Sequence, residues 1–166
     1  MARLPGNGVD QGGVARAGRR LGPRRWSTSR VAQPLAAPLT PDVEARLAQE
    51  LNVWLCTLRH DGSPHVTPVW FVYADGTWWI GCDDRSVKVR NVVADPRVSL
   101  ALEVGSAPVV AEGVARVRRS DFPAEVVEAF AGKYGGWDIR KRGAQKGDRV
   151  LLEIPVRRWL LAGTAQ

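Results

Sequence analysis

The sequence predicts a mainly β fold of the α+β class, a small six-stranded antiparallel barrel with two or three short peripheral helices. Three observations lead there. Short runs rich in Val, Ile, Leu and Trp recur at close spacing between residues 53 and 161. Asp-Gly pairs stand between the first of these runs, and the helical patterns are brief and sit in the connections.

Thr40-Pro41-Asp42 opens the folded part as a helix start, with a hydroxyl cap, Pro in the first turn and an acid beside it. Val43, Leu47 and Leu51 recur every four residues, which predicts a helix over 41–51. Residues 53–58 form a first strand. Asp61-Gly62 predicts a hairpin into a second strand over 66–73, and Asp75-Gly76 a hairpin into a third over 77–82. Pro68 cannot donate a ladder hydrogen bond, so its strand has an edge, a bulge or a ligand there. Asp83-Asp84 caps a helix whose apolar face is Val89, Val92 and Val93, and Asp95-Pro96 stops it. Alternation from Val98 to Val104 predicts a fourth strand, and residues 109–117 a fifth. A helix from Ser120-Asp121 shows Phe122, Val126, Val127 and Phe130. A polar loop over 135–148 then leads to a last strand over 149–161.

The chain has 166 residues and a formal charge of +7, which at first points to an acidic partner. The charge is not evenly spread. Residues 1–40 hold seven Arg and one acid, Asp10, so six of the seven net charges lie there and the remainder is nearly neutral. Residues 1–38 carry only seven large apolar side chains. Burying each returns about 1.5–3 kcal/mol, whereas ordering backbone costs about 1–2 kcal/mol per residue. A disordered tail over 1–38 and a folded domain over 39–166 follow. The Arg pairs at 19–20 and 24–25 precede no apolar stretch suited to an export signal, and no run is long enough to span a bilayer. Two scattered Cys fit a reduced, cytoplasmic protein, and two His and two Cys without ligand spacing predict no metal. Nucleic acid is not the expected partner.

The stretches Val53-Trp54-Leu55-Cys56-Thr57-Leu58, Asp61 to Phe71, Trp79-Ile80-Gly81-Cys82, Ser86 to Asn91 and Asp95 to Leu100 together resemble the split β-barrel flavoproteins related to pyridoxamine 5'-phosphate oxidase. They are most similar to the actinobacterial branch that depends on coenzyme F420, a deazaflavin. The resemblance covers about Val43 to Leu161. It implies a split barrel, a homodimer with cofactor between the two barrels, and hydride transfer to an unsaturated small-molecule substrate. FMN is the alternative cofactor. A carrier or sensor of flavin, deazaflavin or haem on the same barrel is the alternative function.

The resemblance assigns cofactor contacts to Thr67, Pro68, Val69, Trp70, Cys82, Ser86, Lys88 and Asn91. Lys88 and Ser86 would grip a phosphate at a helix N-terminus, where free N–H groups favour an anion. Lys88 reads equally as part of a solvated basic face. Trp70, like Trp54, Trp78 and Trp79, reads as a core or interface aromatic. Cys82 stands where relatives carry a hydroxyl, and a thiol is the poorer partner. Asn91 also suits a structural hydrogen bond. The segment with Tyr134, Trp137, Arg140 and Lys141 is a candidate closure over the partner's site, and Tyr73 or water a candidate proton source. No catalytic acid or base is evident, and a hydride-carrying cofactor requires none. Two departures set the chain apart from a true pyridoxamine phosphate oxidase: Val66-Thr67 stands where those enzymes carry a phosphate-gripping Arg, and their C-terminal Arg-Leu-x-Pro type of clamp is missing at Leu160-Leu161-Ala162-Gly163.

Overall fold

A computed structural model of the chain describes residues 39–141 and 147–163, so the predicted tail over 1–38 and part of the loop over 135–148 lie outside the described residues. The elements run α1 (Pro41–Gln49), β1 (Asn52–Leu58), β2 (Pro64–Ala74), β3 (Thr77–Asp83), α2 (Val87–Ala94), β4 (Arg97–Leu102), β5 (Val109–Val114), β6 (Arg116–Arg118), α3 (Ala124–Lys133) and β7 (Arg149–Ala162). Six strands close an antiparallel barrel in the circuit β3-β2-β1-β4-β5-β7, with β7 returning to β3 and β6 added beside β7. The predicted mainly β barrel with peripheral helices is what forms.

Differences from expectation have local causes. The fifth predicted strand breaks at Ala115, whose N–H donates to the Pro96 carbonyl at 2.8 Å instead of to a strand. The chain thereby leaves β4 and runs on as β6 against the first half of β7. Asp75 and Gly76 both take positive φ, 48° and 72°, as a two-residue type I′ turn needs. The Asp61-Gly62 turn is longer. Only Gly62 has positive φ (83°). The Asp61 carboxylate accepts both the Ser63 N–H at 2.9 Å and the Ser63 hydroxyl at 2.7 Å. Leu51 and Val93, expected on apolar helix faces, are exposed, because α1 stops at Gln49 and α2 turns Val93 outward. The third helix starts at Ala124, after Pro123, and not at Ser120-Asp121.

Two apolar layers result. Val53, Leu55, Phe71, Trp78, Ile80 and Leu152 fill the barrel with others. Val72, Trp79 and Leu151 face the other way and are covered by Val126, Val127 and Phe130 of α3. Period-two alternation along β2, β3 and β7 supplies one residue to each layer in turn.

Strands β2 and β7 are long because each serves two partners. β2 pairs with β1 as far as Trp70, opposite Asn52, and with β3 from Phe71, opposite Ile80. Continuing the β1–β2 register by one rung would set Leu51 against Phe71. The hydroxyl of Tyr134, just past α3, occupies that rung. Its oxygen accepts the Phe71 N–H at 2.8 Å and lies 2.9 Å and 2.8 Å from the carbonyls of Leu51 and Phe71, one of which takes its proton. Burial pushes the phenol up to about 12, so it stays a donor at neutral pH. Beside it, Lys133 Nζ sits 3.7 Å from the centre of the Phe71 ring and donates to the Leu47 carbonyl at 3.1 Å, tying α3 to α1.

Tyr134→Phe keeps the ring and removes the hydroxyl, leaving the Phe71 N–H without its partner. Urea unfolding should show a loss of about 1–3 kcal/mol. A loss below about 0.5 kcal/mol, the usual scatter of surface changes, would mean that the rung is filled by water equally well.

Candidate functional site

The β2–β3 register has its own missing rungs. Continued past Phe71 and Ile80, it would set Trp70 against Gly81, Val69 against Cys82 and Pro68 against Asp83. The strands separate instead. β2 stays with β1, while Gly81, Cys82 and Asp83 pair only with β7. All six of these residues line a cavity of about 460 Å³. The split in the barrel is therefore the site.

Backbone direction follows from alternation in an antiparallel ladder. The Phe71 N–H points to the β1 side, where Tyr134 meets it. Trp70 and Pro68 therefore point their backbone groups into the split. Pro68 fits because it brings no N–H to that edge, and Trp70 presents both an N–H and a carbonyl there. On the facing strand the same alternation turns the Gly81 N–H and carbonyl inward. A planar ligand inserted here meets donors and acceptors on both edges.

One end of the cavity suits an anion. Ser86 is the N-cap of α2 with extended backbone (φ −66°, ψ 152°) and makes no capping bond, and its buried hydroxyl has the Cys82 thiol, a weak partner, beside it. Lys88 follows in the first turn, which holds no acid. The neighbouring carboxylates are partly engaged, with Asp83 Oδ2 buried and without a hydrogen-bond partner. Asp83 Oδ1 accepts the Arg85 N–H at 2.9 Å, and Asp84 pairs with Arg119 at 2.9 Å. The helix N-terminus, the Ser86 hydroxyl and the ammonium favour an anion, and the Asp83 carboxylate in the same lining opposes it.

The other wall comes from the segment after α3. Trp137 lies across Gly81 so closely that a Cβ there would fall 2.4 Å from its ring. The ring also meets Trp70 edge-on (6.2 Å, 81°), and Trp70 stacks on Tyr134 at 4.5 Å. Arg149 lies over Trp137 with its guanidinium carbon 4.6 Å from the ring centre. Asn52 completes the lining.

Of the residues predicted from sequence, Pro68, Val69, Trp70, Cys82, Ser86 and Lys88 meet in this cavity. Two do not line it. Thr67 faces the opposite side of β2 from Pro68, and its hydroxyl is buried without a partner. Asn91 is buried and donates to the Thr57 hydroxyl at 2.9 Å, which joins α2 to β1. Tyr73 packs beside Trp78 and Trp159 in the barrel, away from the lining. Burial also pushes its phenol up, which suits it poorly as a proton source. Trp137 closes on its own chain's cavity, and Arg140 is paired with Asp138. Gly81, Asn52, Asp83 and Arg149 were not among the predicted contacts. A Gly inside a strand signals a close approach, and the turn at Asp75-Gly76 already places Gly81 across from Trp70.

Burial pushes the Cys82 thiol up to about 11, with Lys88 pulling weakly the other way. The His65 imidazole is shifted down by desolvation, then by Arg59 and Lys88, and its carbonyl accepts the Thr57 hydroxyl at 3.3 Å. Among the described residues no group of three or more His, Cys, Asp or Glu is placed to hold a metal, and no helix is long and apolar enough to cross a membrane.

A family model described as Pyridoxamine 5'-phosphate oxidase matches residues 39–162. No curated protein sequence matches the chain. Solved structures do. An F420 reductase shares 22% identity over 70% of this chain and 94% of its own, with a TM-score of 0.57. The haem storage protein HutZ of Vibrio cholerae shares 16% over 78% and 98%, with 0.62. A haem-binding protein of Mycobacterium smegmatis shares 25% over 79% and 57%, with 0.55.

A thiol held near 11 is protonated at neutral pH and reacts as a small side chain, not as a thiolate. In a Cys56→Ser protein, iodoacetamide labelling of Cys82 should rise about tenfold per pH unit from pH 8 to 10 without levelling, because reactivity tracks the thiolate fraction. A plateau near the free-thiol pKa of about 8.5 would show that the thiol is not desolvated.

Proposed function

The chain belongs to the pyridoxamine 5'-phosphate oxidase family, and from that premise we propose that it is an oxidoreductase that holds reduced coenzyme F420 in the β2–β3 split and passes hydride to an unsaturated small molecule. The observation that carries this reading is the cavity at the missing rungs, with Ser86 and Lys88 at its anion-binding end. The residues fit such a cofactor at this end: Ser86 makes no capping bond, its buried hydroxyl has only the Cys82 thiol, a weak partner, beside it, and Lys88 follows in the first turn. When bound, the deazaflavin supplies the hydride.

The chain's own part is to bind, orient and exclude water. Lys88, Ser86 and the α2 N-terminus take the phosphate. Trp70 and Gly81 offer backbone groups to the ring edges, and Pro68 presents an apolar surface to it. Trp137 and Tyr134 shield the opposite wall. FMN is the second flavin that the phosphate end would accept. Deazaflavin is favoured because β2 brings no basic residue to the cavity: Thr67 faces away from it and Val66 is exposed outside. The lining contains no histidine.

Trp54, Val66 and Trp70 stand exposed together on the outer face of β1 and β2 beside the cavity mouth. A second copy of the chain covering this face makes a homodimer and completes the enclosure. A cytoplasmic setting belongs to the same proposal, with Cys56 and Cys82 both free.

Titration of the protein with F420 and with FMN, followed by tryptophan fluorescence, tests the reading. F420 should bind in the micromolar range and more tightly than FMN, and Lys88→Ala should weaken it about tenfold, or about 1.4 kcal/mol. Tighter FMN binding, or unchanged affinity in the variant, would sink it. For the dimer, Trp54→Glu should shift sedimentation from two chains to one; a chain that is already monomeric removes that part.

A further inference from the structure

Arg149 is the arginine that lines the cavity. Arg97, Arg118, Arg119, Arg140 and Arg158 each pair with a carboxylate. Arg149 has no carboxylate partner among the described residues, although it opens β7 directly across from Asp83. That acid is turned elsewhere. Its Oδ1 takes the Arg85 N–H, and both its oxygens crowd Gly147, within 2.7 Å of where a Cβ would stand. The guanidinium is nonetheless fixed. Trp137 supports one face, and Nη1 donates to the Asp138 carbonyl at 2.7 Å. Trp137 is held in turn by Trp70 and by Phe130, 5.1 Å away. A guanidinium has five N–H donors; among the described residues the acceptor for this one is the Asp138 carbonyl, and the residue lines the cavity.

We propose that Arg149 and Trp137 form a second recognition subsite, one for a planar conjugated carboxylate. The arginine's fork matches a carboxylate with two parallel hydrogen bonds, and a guanidinium already held in place loses less freedom on binding. The flat group attached to the carboxylate lies against Trp137 and Trp70. This subsite is built on β7 and the segment after α3, whereas Lys88 and Ser86 belong to α2 and its cap, and both line one cavity. It rests on the cofactor reading only in calling the bound acid a substrate.

Isothermal titration calorimetry of the full chain without cofactor tests it, with trans-cinnamate, cinnamamide and inorganic phosphate as probes. Cinnamate should bind saturably and at least tenfold more tightly than its amide. Arg149→Gln should weaken cinnamate at least tenfold, and Arg149→Lys most of that, since the ammonium lacks the fork. Lys88→Ala should leave cinnamate within twofold while weakening phosphate. Equal binding of acid and amide to the unaltered chain overturns the proposal without any variant, as does the absence of saturable cinnamate binding. Retained affinity in a folded Arg149→Gln protein, or a comparable loss in Lys88→Ala, overturns it too. Loss of F420 binding with cinnamate binding intact defeats the cofactor reading alone, and the reverse defeats the subsite alone.

Discussion

The hydroxyl of Tyr134 decides where β2 changes partners. By taking the rung between Leu51 and Phe71 it ends the β1–β2 ladder without leaving a backbone N–H unpaired. β2 then passes to β3 within one residue. Before that point β2 belongs to β1 alone, and β3 beyond Ile80 belongs to β7 alone. The open wedge between the two is the cavity. The point at which β2 changes partners, and with it one edge of the wedge, is thus marked by one partly buried polar contact, whose loss leaves the Phe71 N–H without its partner.

Much of this was legible in the sequence, and the legible part has a physical character. Periodicity and turn chemistry report local preferences, so α1, β1 to β3, α2 and the later strands stand close to where the pattern puts them. Pro68 in a strand announced an edge facing something other than a strand, and the split is that edge. That Ser86 and Lys88 share one end of the cavity was legible because they are close in sequence at a helix start. Contacts between distant segments were not. Trp137 and Arg149 reach the cavity only after α3 docks on sheet residues Val72 and Trp79, and no spacing rule links positions 81, 137 and 149. Asn91 and Thr67 carried the family's pattern, yet their surroundings here are internal: Asn91 bonds to Thr57, and Thr67 follows the inward phase of β2.

Charge changes its meaning along the same path. The formal +7 belongs mainly to residues 1–40, and Arg119 and Arg140 near the cavity are paired with adjacent acids. Those surface pairs contribute little stability, but they leave Lys88 and Arg149 as the lining cations. A ligand sees this local field and not the net charge. It favours a bound molecule that is anionic in parts and flat between them.

The central claim is that the β2–β3 split takes the cofactor, and peptide-resolved amide hydrogen exchange measures it most directly. The backbone groups of Trp70 and Gly81 have no strand partner on the cavity side, so a ring seated there must protect them. Adding saturating F420 should slow exchange in peptides spanning residues 68–71 and 81–88, with little change in β4 and β5. Protection confined to β4, β5 or the outer face of α3, or none at saturation, would contradict the assignment of the split as the binding site.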